Sequence, residues 1–200
     1  MDASPILKNV SRHIDLDTAE EQFFVSLLRE KEFEKKAFVL REQEIGRDSI
    51  FVTRGCLRAY TIDHEGMEHV LQFAPPGWWI ADMYSLISGK PGSLNIDAVE
   101  DATVLLLSRE KQESLFARVP KFERFFRIIT ENSLVASRQR VLDNLSLSAR
   151  ERFADFCHQF PSLADCVPQK MIASYLGITP EFFSKIKSEY FRQKGPKSGP

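Results

Sequence analysis

The sequence contains little cysteine and no long hydrophobic run. Its three cysteines, Cys56, Cys157 and Cys166, are widely spaced and form no C-x-x-C pair, so neither a disulfide framework nor a cysteine-rich metal or iron–sulfur site is predicted. No apolar run approaches the roughly 18 residues that span a bilayer, and the N-terminus lacks the basic stretch and apolar segment of a secretory signal. We therefore expect a cytoplasmic chain that avoids membranes, carries buried free thiols and needs no metal or other cofactor.

The chain is nearly neutral overall, but its charge is unevenly distributed. The net charge is −1, whereas residues 167–200 carry six basic side chains against two acidic ones, a local charge of +4. Residues 1–166 hold 21 basic and 26 acidic side chains, a net charge of −5. A basic end favours binding to nucleic acid, because phosphate contacts provide most of the non-specific affinity. The basic residues of this end are Lys170, Lys185, Lys187, Arg192, Lys194 and Lys197.

The hydrophobic pattern changes from helical to alternating near residue 37. Residues 17–36 repeat apolar side chains at spacings of three and four, and Thr18 precedes Glu21 by three residues, so we predict an amphipathic helix with a capping box. Residues 37–108 alternate with a period of two and are cut by turn residues, which predicts an antiparallel all-β unit. The predicted strands are 38–40, 50–53, 57–62, 69–73, 79–82, 96–99 and 103–108.

After Pro120 the apolar spacing becomes helical again and predicts one long helix. Ile128, Val135 and Leu142 lie seven residues apart and would form a seam with a partner helix in a homodimer. The same stripe would also fit against the β unit of its own chain, and the pattern does not decide between the two. Ser148 and Glu151 form a capping box that opens the next helix. We therefore predict an N-terminal helix and β-roll domain at 1–119, a dimerisation helix at 120–147 and a C-terminal domain at 148–200.

A segment beginning at Pro168 predicts two short helices joined at a glycine. Pro168 suits the first position of the first helix, and Ala173, four residues before Gly177, is small enough to let the helices approach closely. Thr179 would cap the second helix, with Pro180 at its first position. This arrangement is typical of a helix-turn-helix.

The second helix would present a polar face to a ligand. Ile178, Ile186 and either Phe182 or Phe183 would face the core. The opposite side suits a recognition helix, whose N-terminal residues contact base edges and whose basic residues contact phosphates. An ordinary helical hairpin with a solvated face would look similar, but the cap, the spacing and the local charge together favour DNA binding. The predicted DNA-contacting residues are Thr179, Glu181, Ser184, Lys185, Lys187 and Arg192.

These segments resemble the Crp/Fnr family of transcription regulators, especially the short members typical of Bacteroidetes. The resemblance is carried by residues 54–58, 73–85, 119–126 and 172–181, in the family's order. It implies an α+β fold: an antiparallel β-roll like the jelly roll of cyclic nucleotide-binding domains, a long helix, and an all-α, winged-helix-like helix-turn-helix. It also implies a homodimer on a palindromic operator in double-stranded DNA, with RNA polymerase as a further candidate partner. Only a short tail follows the second helix, so the wing is expected to be truncated or absent.

The expected effector pocket departs from the family pattern. Members that bind cyclic AMP use a Gly-Glu pair at the start of a short helix and an Arg-Ser pair whose arginine neutralises the phosphate, but here no arginine stands at that position. Its loss removes a charge-assisted interaction worth about 1.5–3 kcal/mol. Hydroxyl groups that contact adenine from the long helix are also replaced. The corresponding positions here are Ala81, Asp82, Gly92, Ser93, Val135 and Ala136.

We therefore expect a regulator that does not depend on cyclic AMP and whose effector the sequence does not identify. Two alternatives stay open. One is a cyclic-nucleotide-responsive regulator of the same fold, with Lys90 as a substitute cation; the other is an interaction module whose helical end binds a protein instead of DNA. Pro180 replaces an arginine that commonly reads bases in the family, so the operator should differ from that of the cyclic-AMP receptor. The sequence has no nucleophile elbow, phosphate loop or convergent catalytic cluster, so an enzyme is not expected.

Overall fold

The structure, a computed structural model, describes residues 1–193 apart from the side chains of Asp165 and Gln193. Contacts divide the chain into two units: Met1–Thr61 with Leu71–Asn132, and Ile62–Val70 with Ser133 onward. The helices are α1 (Ser4–Val10), α2 (Thr18–Leu27), α3 (Met83–Ser88), α4 (Arg109–Arg118), α5 (Lys121–Ser146), α6 (Ala149–Gln159), α7 (Leu163–Cys166), α8 (Gln169–Leu176) and α9 (Pro180–Gln193). The strands are β1 (Arg29–Phe33), β2 (Phe38–Leu40), β3 (Asp48–Arg54), β4 (Leu57–Ile62), β5 (Glu68–Ala74), β6 (Trp79–Ile80), β7 (Asn95–Ala98) and β8 (Ala102–Ser108).

The strands of the described chain form two four-stranded sheets, in the orders β1-β8-β3-β6 and β2-β7-β4-β5. Side chains alternate across each strand, so every second residue can face the space between the sheets. Leu57 and Ala59 do so and are buried with Ile96 and Ala98 in an apolar core. This arrangement confirms the predicted antiparallel β-roll.

On the second sheet, the residues that alternate with these core positions include a buried ion pair. Arg58 on β4 and Asp97 on β7 are register partners, and Arg58 donates to both carboxylate oxygens, at 2.8 Å from Nε and 2.9 Å from one terminal nitrogen. The two residues are 3% and 6% exposed. The guanidinium also lies 4.0 Å from the centre of the Tyr60 ring. Charges buried this deeply are tolerated when they are paired in such a geometry.

A second apolar core in the first unit joins the sheet to helices. Phe24 of α2 and Phe122 of α5 are fully buried and their ring centres lie 4.6 Å apart. The Trp79 ring lies 5.2 Å from Phe51 and 5.5 Å from Phe126, in tilted and edge-on arrangements that aromatic pairs prefer. The first half of α5 is therefore fixed to the unit by its aromatic side chains.

The predicted helix at 17–36 is wrong in its second half. The helix ends at Leu27, and Arg29–Phe33 forms β1, paired with β8 from Arg29 opposite Leu106 to Phe33 opposite Ala102. Backbone pairing with β8 determines the structure of this segment. The sequence does not reveal the strand, because four of its five side chains are exposed and the apolar alternation of a half-buried strand is missing. The capping box is also displaced by one residue, since Asp17 caps α2 and Glu20 completes the box.

Most other elements agree with the sequence within one or two residues. The predicted strand at 79–82 is too long, because Asp82 leaves the strand and caps α3. Helices α1, α3, α4 and α7 were not predicted, and of the thiols expected to be buried, Cys157 is only half-buried and Cys166 is exposed. The long helix and the capping box of Ser148 with Glu151 are confirmed. The two contact units divide inside α5, whereas the predicted boundaries at 119/120 and 147/148 fall at its ends; that three-part division stays a proposal.

Candidate nucleic-acid interface

The second unit is built around aromatic side chains that hold α9 against α6. Phe153 of α6 is fully buried, and its ring lies 5.1 Å from Phe183 and 5.2 Å from Tyr190. Ile172 and Ala173 of α8 are also fully buried. With one side fixed in this core, the opposite side of α9 is left for solvent or a ligand.

The turn between α8 and α9 has the geometry predicted from its glycine. Gly177 is left-handed, with φ 67° and ψ 37°, a conformation that glycine adopts without a Cβ penalty. The Ile178 amide donates to the Ala173 carbonyl at 3.0 Å, which closes the end of α8 as a Schellman motif. Pro168 lies one position before the predicted one, at the N-cap, because α8 begins at Gln169.

Thr179 caps α9 as predicted. Its hydroxyl accepts the Phe182 amide at 3.3 Å, and its carbonyl accepts the Phe183 amide at 2.9 Å. Pro180 is the first residue of the helix, where its missing N–H costs nothing. The helix start is thus set locally, and it fixes which side chains of the first turn face outward.

The outward face of α9 carries the predicted polar residues. Glu181, Ser184, Lys185 and Arg192 are exposed, and their spacings of three, four and seven residues place them on one side of the helix. Within the part of the chain that the structure describes, no hydrogen bond or ion pair engages the Lys185 ammonium. The Ser184 hydroxyl donates to the Pro180 carbonyl at 3.0 Å and lies 3.3 Å from Gln169 Oε1.

Lys187 differs from the other predicted contacts. It is half-buried, and its ammonium donates to the Ala164 carbonyl at 3.2 Å. That bond holds the Lys187 ammonium against the unit and directs it away from the exposed face of α9. Lys194 and Lys197, and with them the predicted absence of a wing, lie outside the described residues.

Two adjacent phenylalanines of α9 have opposite environments. Phe183 is fully buried whereas Phe182 is 48% exposed, and Ile186 is 4% exposed. The sequence left open which phenylalanine faces the core; the structure assigns that role to Phe183. Ile178 is half-buried.

The tip of the β4–β5 hairpin belongs to the same unit and is bound to α8. The Ser174 hydroxyl donates to the Glu68 carbonyl at 2.5 Å and accepts the Val70 amide at 2.9 Å. Within the tip, Asp63 Oδ2 lies 2.6 Å from His69 Nε2, and Asp63 Oδ1 accepts the amides of Glu65 and Met67. No local sequence pattern indicated the Ser174 contacts, because the bonded residues are more than one hundred positions apart.

The expected effector pocket includes a degenerate phosphate cassette in the first unit, formed by Ala81, Asp82, Gly92 and Ser93, and the Asp82 carboxylate occupies it. Asp82 is 4% exposed; one oxygen accepts the Ser85 amide at 3.0 Å, and the other lies 3.3 Å from the Leu94 amide nitrogen, which donates to it. A Cβ added to Gly92 would overlap Asp82 Oδ2. The Ser85 and Leu94 amides are therefore engaged by a side chain of the protein itself. Ala81 is half-buried and Ser93 exposed.

The second half of α5 exposes apolar side chains. Val135 is 66% and Leu142 55% exposed, and Leu145 is 81% exposed. Ile128, nearer the start of the helix, is half-buried, and Ala136 is exposed. An apolar stripe on a helix normally buries itself against a neighbour, so this segment is suited to contact another chain.

Aromatic residues near the cassette mainly form core. Phe73 is fully buried, Trp78 packs against the core between the sheets, and Trp79 joins the aromatic cluster of the second core. Tyr84 instead is 61% exposed on α3. Residues 1–193 contain no helix long and apolar enough to cross a bilayer and no group of three metal-binding side chains.

Residues 30–119 match the family model of the cyclic nucleotide-binding domain. No curated protein matches the chain in sequence. The Bacteroidetes affinity predicted from the sequence therefore stays a prediction.

Solved structures match over most of the chain. FixK2 from Bradyrhizobium japonicum is similar with a TM-score of 0.75 and 24% identity, covering 86% of this chain and 89% of its own. CLP, a c-di-GMP-responsive global regulator of Xanthomonas campestris, has a TM-score of 0.69 and 14% identity, with 90% and 93% covered. A regulator of the crp/fnr family from Eubacterium rectale has a TM-score of 0.68 and 18% identity, with 90% and 86% covered. The chain therefore has the fold of the Crp/Fnr regulators, with a domain of the cyclic nucleotide-binding type at residues 30–119.

Proposed function

We propose that this protein is a transcription regulator that binds double-stranded DNA through α9 as a homodimer. The observation that carries the proposal is the outward face of α9, where Glu181, Lys185 and Arg192 are exposed on a helix fixed from behind by Phe183 and Ile186. An N-terminal turn with polar side chains suits base edges in the major groove, and the cations suit phosphates. Thr179 and Ser184 complete the contact set, with Lys187 at its edge.

The homodimer would form along α5, through the seam of Ile128, Val135 and Leu142. Two recognition helices related by a two-fold axis would enter major grooves about 34 Å apart on a palindromic operator. In the cytoplasm, the DNA-bound dimer would then meet RNA polymerase, as the family resemblance implies. We propose no catalytic role.

Regulation by cyclic AMP is not part of the proposal. A cyclic phosphate entering the cassette would approach the buried Asp82 carboxylate, and Gly92 supplies no cation in place of arginine. Like charges at close range in a buried site are strongly unfavourable. Calorimetry with cyclic AMP and cyclic GMP tests this point, and heat that saturates at one ligand per chain would overturn it.

The experiment that tests the function is selection from a random pool of duplex DNA with the purified protein, followed by salt titration of the selected sequences. Enrichment of a two-fold symmetric site, with affinity that falls steeply as salt rises, is the expected result. No enrichment and a salt-insensitive background would overturn the proposal and favour a protein-binding role for the helical end.

A further inference from the structure

Phe182 is an exposed aromatic side chain at the place where α9 would meet DNA. It is the third residue of the helix, and 48% of its surface is accessible although the neighbouring Phe183 is fully buried. A large apolar side chain left this exposed forgoes much of the roughly 1.5–3 kcal/mol that burial would provide. The unit has no need of it for packing, because Phe183 and Ile186 already fill the core side.

The surroundings of Phe182 are polar and charged. Glu181 precedes it, Lys185 follows one turn later, and Thr179 accepts its amide, which fixes its backbone at the helix start. A protein-binding surface would normally extend the apolar patch, whereas the exposed residues beside Phe182 or one turn from it, Thr179, Glu181 and Lys185, carry charges or a hydroxyl. This mixture instead matches a major groove, where hydrogen-bonding base edges alternate with apolar methyl groups.

We propose that Phe182 packs against the C5-methyl group of a thymine and thereby specifies a T·A pair in each half of the operator. The proposal deepens the DNA-binding function above and rests on it. A phenyl ring has no donor or acceptor, so the thymine methyl is the one feature of a base edge in the major groove that it can recognise. Lys185 as a donor and Glu181 as an acceptor would read the neighbouring pairs through hydrogen bonds.

The test uses the operator obtained by selection, in which each thymine is replaced in turn by deoxyuridine. This change removes one methyl group and leaves the hydrogen-bonding edge unchanged. At one symmetric position we expect affinity of the unaltered protein to fall about fourfold for each half-site, the value of one buried methyl. The Phe182→Ala variant should bind thymine and deoxyuridine equally at that position, while Phe182→Leu keeps part of the difference.

Met67→Ala is the matched control, because Met67 is also a large exposed apolar residue of this unit, at 58%, but lies on the hairpin tip. It should retain the full loss on deoxyuridine. A selected operator with no position whose methyl effect depends on Phe182 would overturn the inference and leave the DNA-binding function intact. Failure to select any operator would overturn both.

Discussion

Ser174 and Val70 are joined by a hydrogen bond of 2.9 Å from the amide of the strand residue to the hydroxyl of the helix residue. The same hydroxyl donates to the carbonyl of Glu68, so one side chain satisfies two backbone groups that flank His69. Because α8 is the first helix of the helix-turn-helix, the hairpin tip is an integral part of the unit proposed to bind DNA.

Replacing Ser174 with alanine should lower the stability of this unit by about 1–2 kcal/mol, because two partly buried backbone groups lose their partner. Amide hydrogen exchange at Val70 would measure the loss directly. Ser188→Ala is the control, since the Ser188 hydroxyl donates to the Ser184 carbonyl of its own helix and the change carries the same gain in helix propensity. Equal exchange at Val70 in the two variants would contradict the role assigned to Ser174.

Lys185 and Lys187 should separate DNA affinity from stability. We expect Lys185→Ala to weaken operator binding by about 1–3 kcal/mol, relax selectivity at one base pair and reduce the salt slope by about one unit per subunit. Lys187→Ala removes the bond to the Ala164 carbonyl. Its thermal stability should therefore fall, whereas its salt slope should change little. Operator titrations at several salt concentrations measure affinity and salt slope, and thermal denaturation measures stability. Lys111→Ala, in the first unit, is the control in both experiments. Unchanged affinity and selectivity in Lys185→Ala would show that its side chain does not contact the operator.

The exposed stripe of α5 should control the association state. Leu142→Lys places a charge in the proposed seam, where desolvating it without a partner is costly. Sedimentation velocity should show the unaltered protein at twice the 23.0 kDa chain mass and the variant as a monomer. Ile87→Lys alters a residue of similar type that is 67% exposed on α3 and should remain dimeric. A monomeric unaltered protein at micromolar concentration would remove the homodimer from the proposal.

The hairpin tip should weaken in acid. The contact with His69, followed by the amide of Met67 and then that of Glu65, holds the pKa of Asp63 below its ordinary value of 3.8. A lowered pKa in the folded protein means that the ionised carboxylate stabilises it, fully above a pH of about 4 and progressively less as the pH falls through the folded-state pKa. An NMR titration of the Asp63 carboxyl should give a midpoint below 3.8, and His69→Asn should raise it. The same midpoint in both proteins would rule out the contact as the cause.

Gly92 and Asp82 should be energetically coupled. Gly92→Ala would place a Cβ on the Asp82 carboxylate, and we expect a loss of about 1–3 kcal/mol from overpacking. In an Asp82→Ala background the same glycine change should cost little, because the carboxylate is gone. Urea denaturation of the two single variants and the double variant measures this coupling. Additive effects would mean that the contact carries no strain.

Structural features that are set by a few neighbouring residues were predicted well from the sequence, whereas features that depend on distant partners were not. The Ser148 cap, the left-handed Gly177 and the Thr179 cap are set by bonds within a helix end, so their residue types reveal them. β1 is mostly charged on its surface and exists through its pairing with β8, which no local pattern shows. Asp17 and Thr18 both satisfy the capping-box spacing, and the phase of α9 could not be fixed to one of two adjacent phenylalanines. Asp82 was recognised as a degenerate position, but its bond to the Leu94 amide required the fold.

The contact between Asp82 and Gly92 also constrains how the protein can change over evolution. An arginine at position 92 would be needed to restore a phosphate site, yet any side chain there collides with the carboxylate that now caps α3. Removing the carboxylate first would leave the start of α3 without its cap and the Leu94 amide without its acceptor. Either substitution alone would therefore destabilise the domain, so this pair of residues disfavours a stepwise return of the phosphate site.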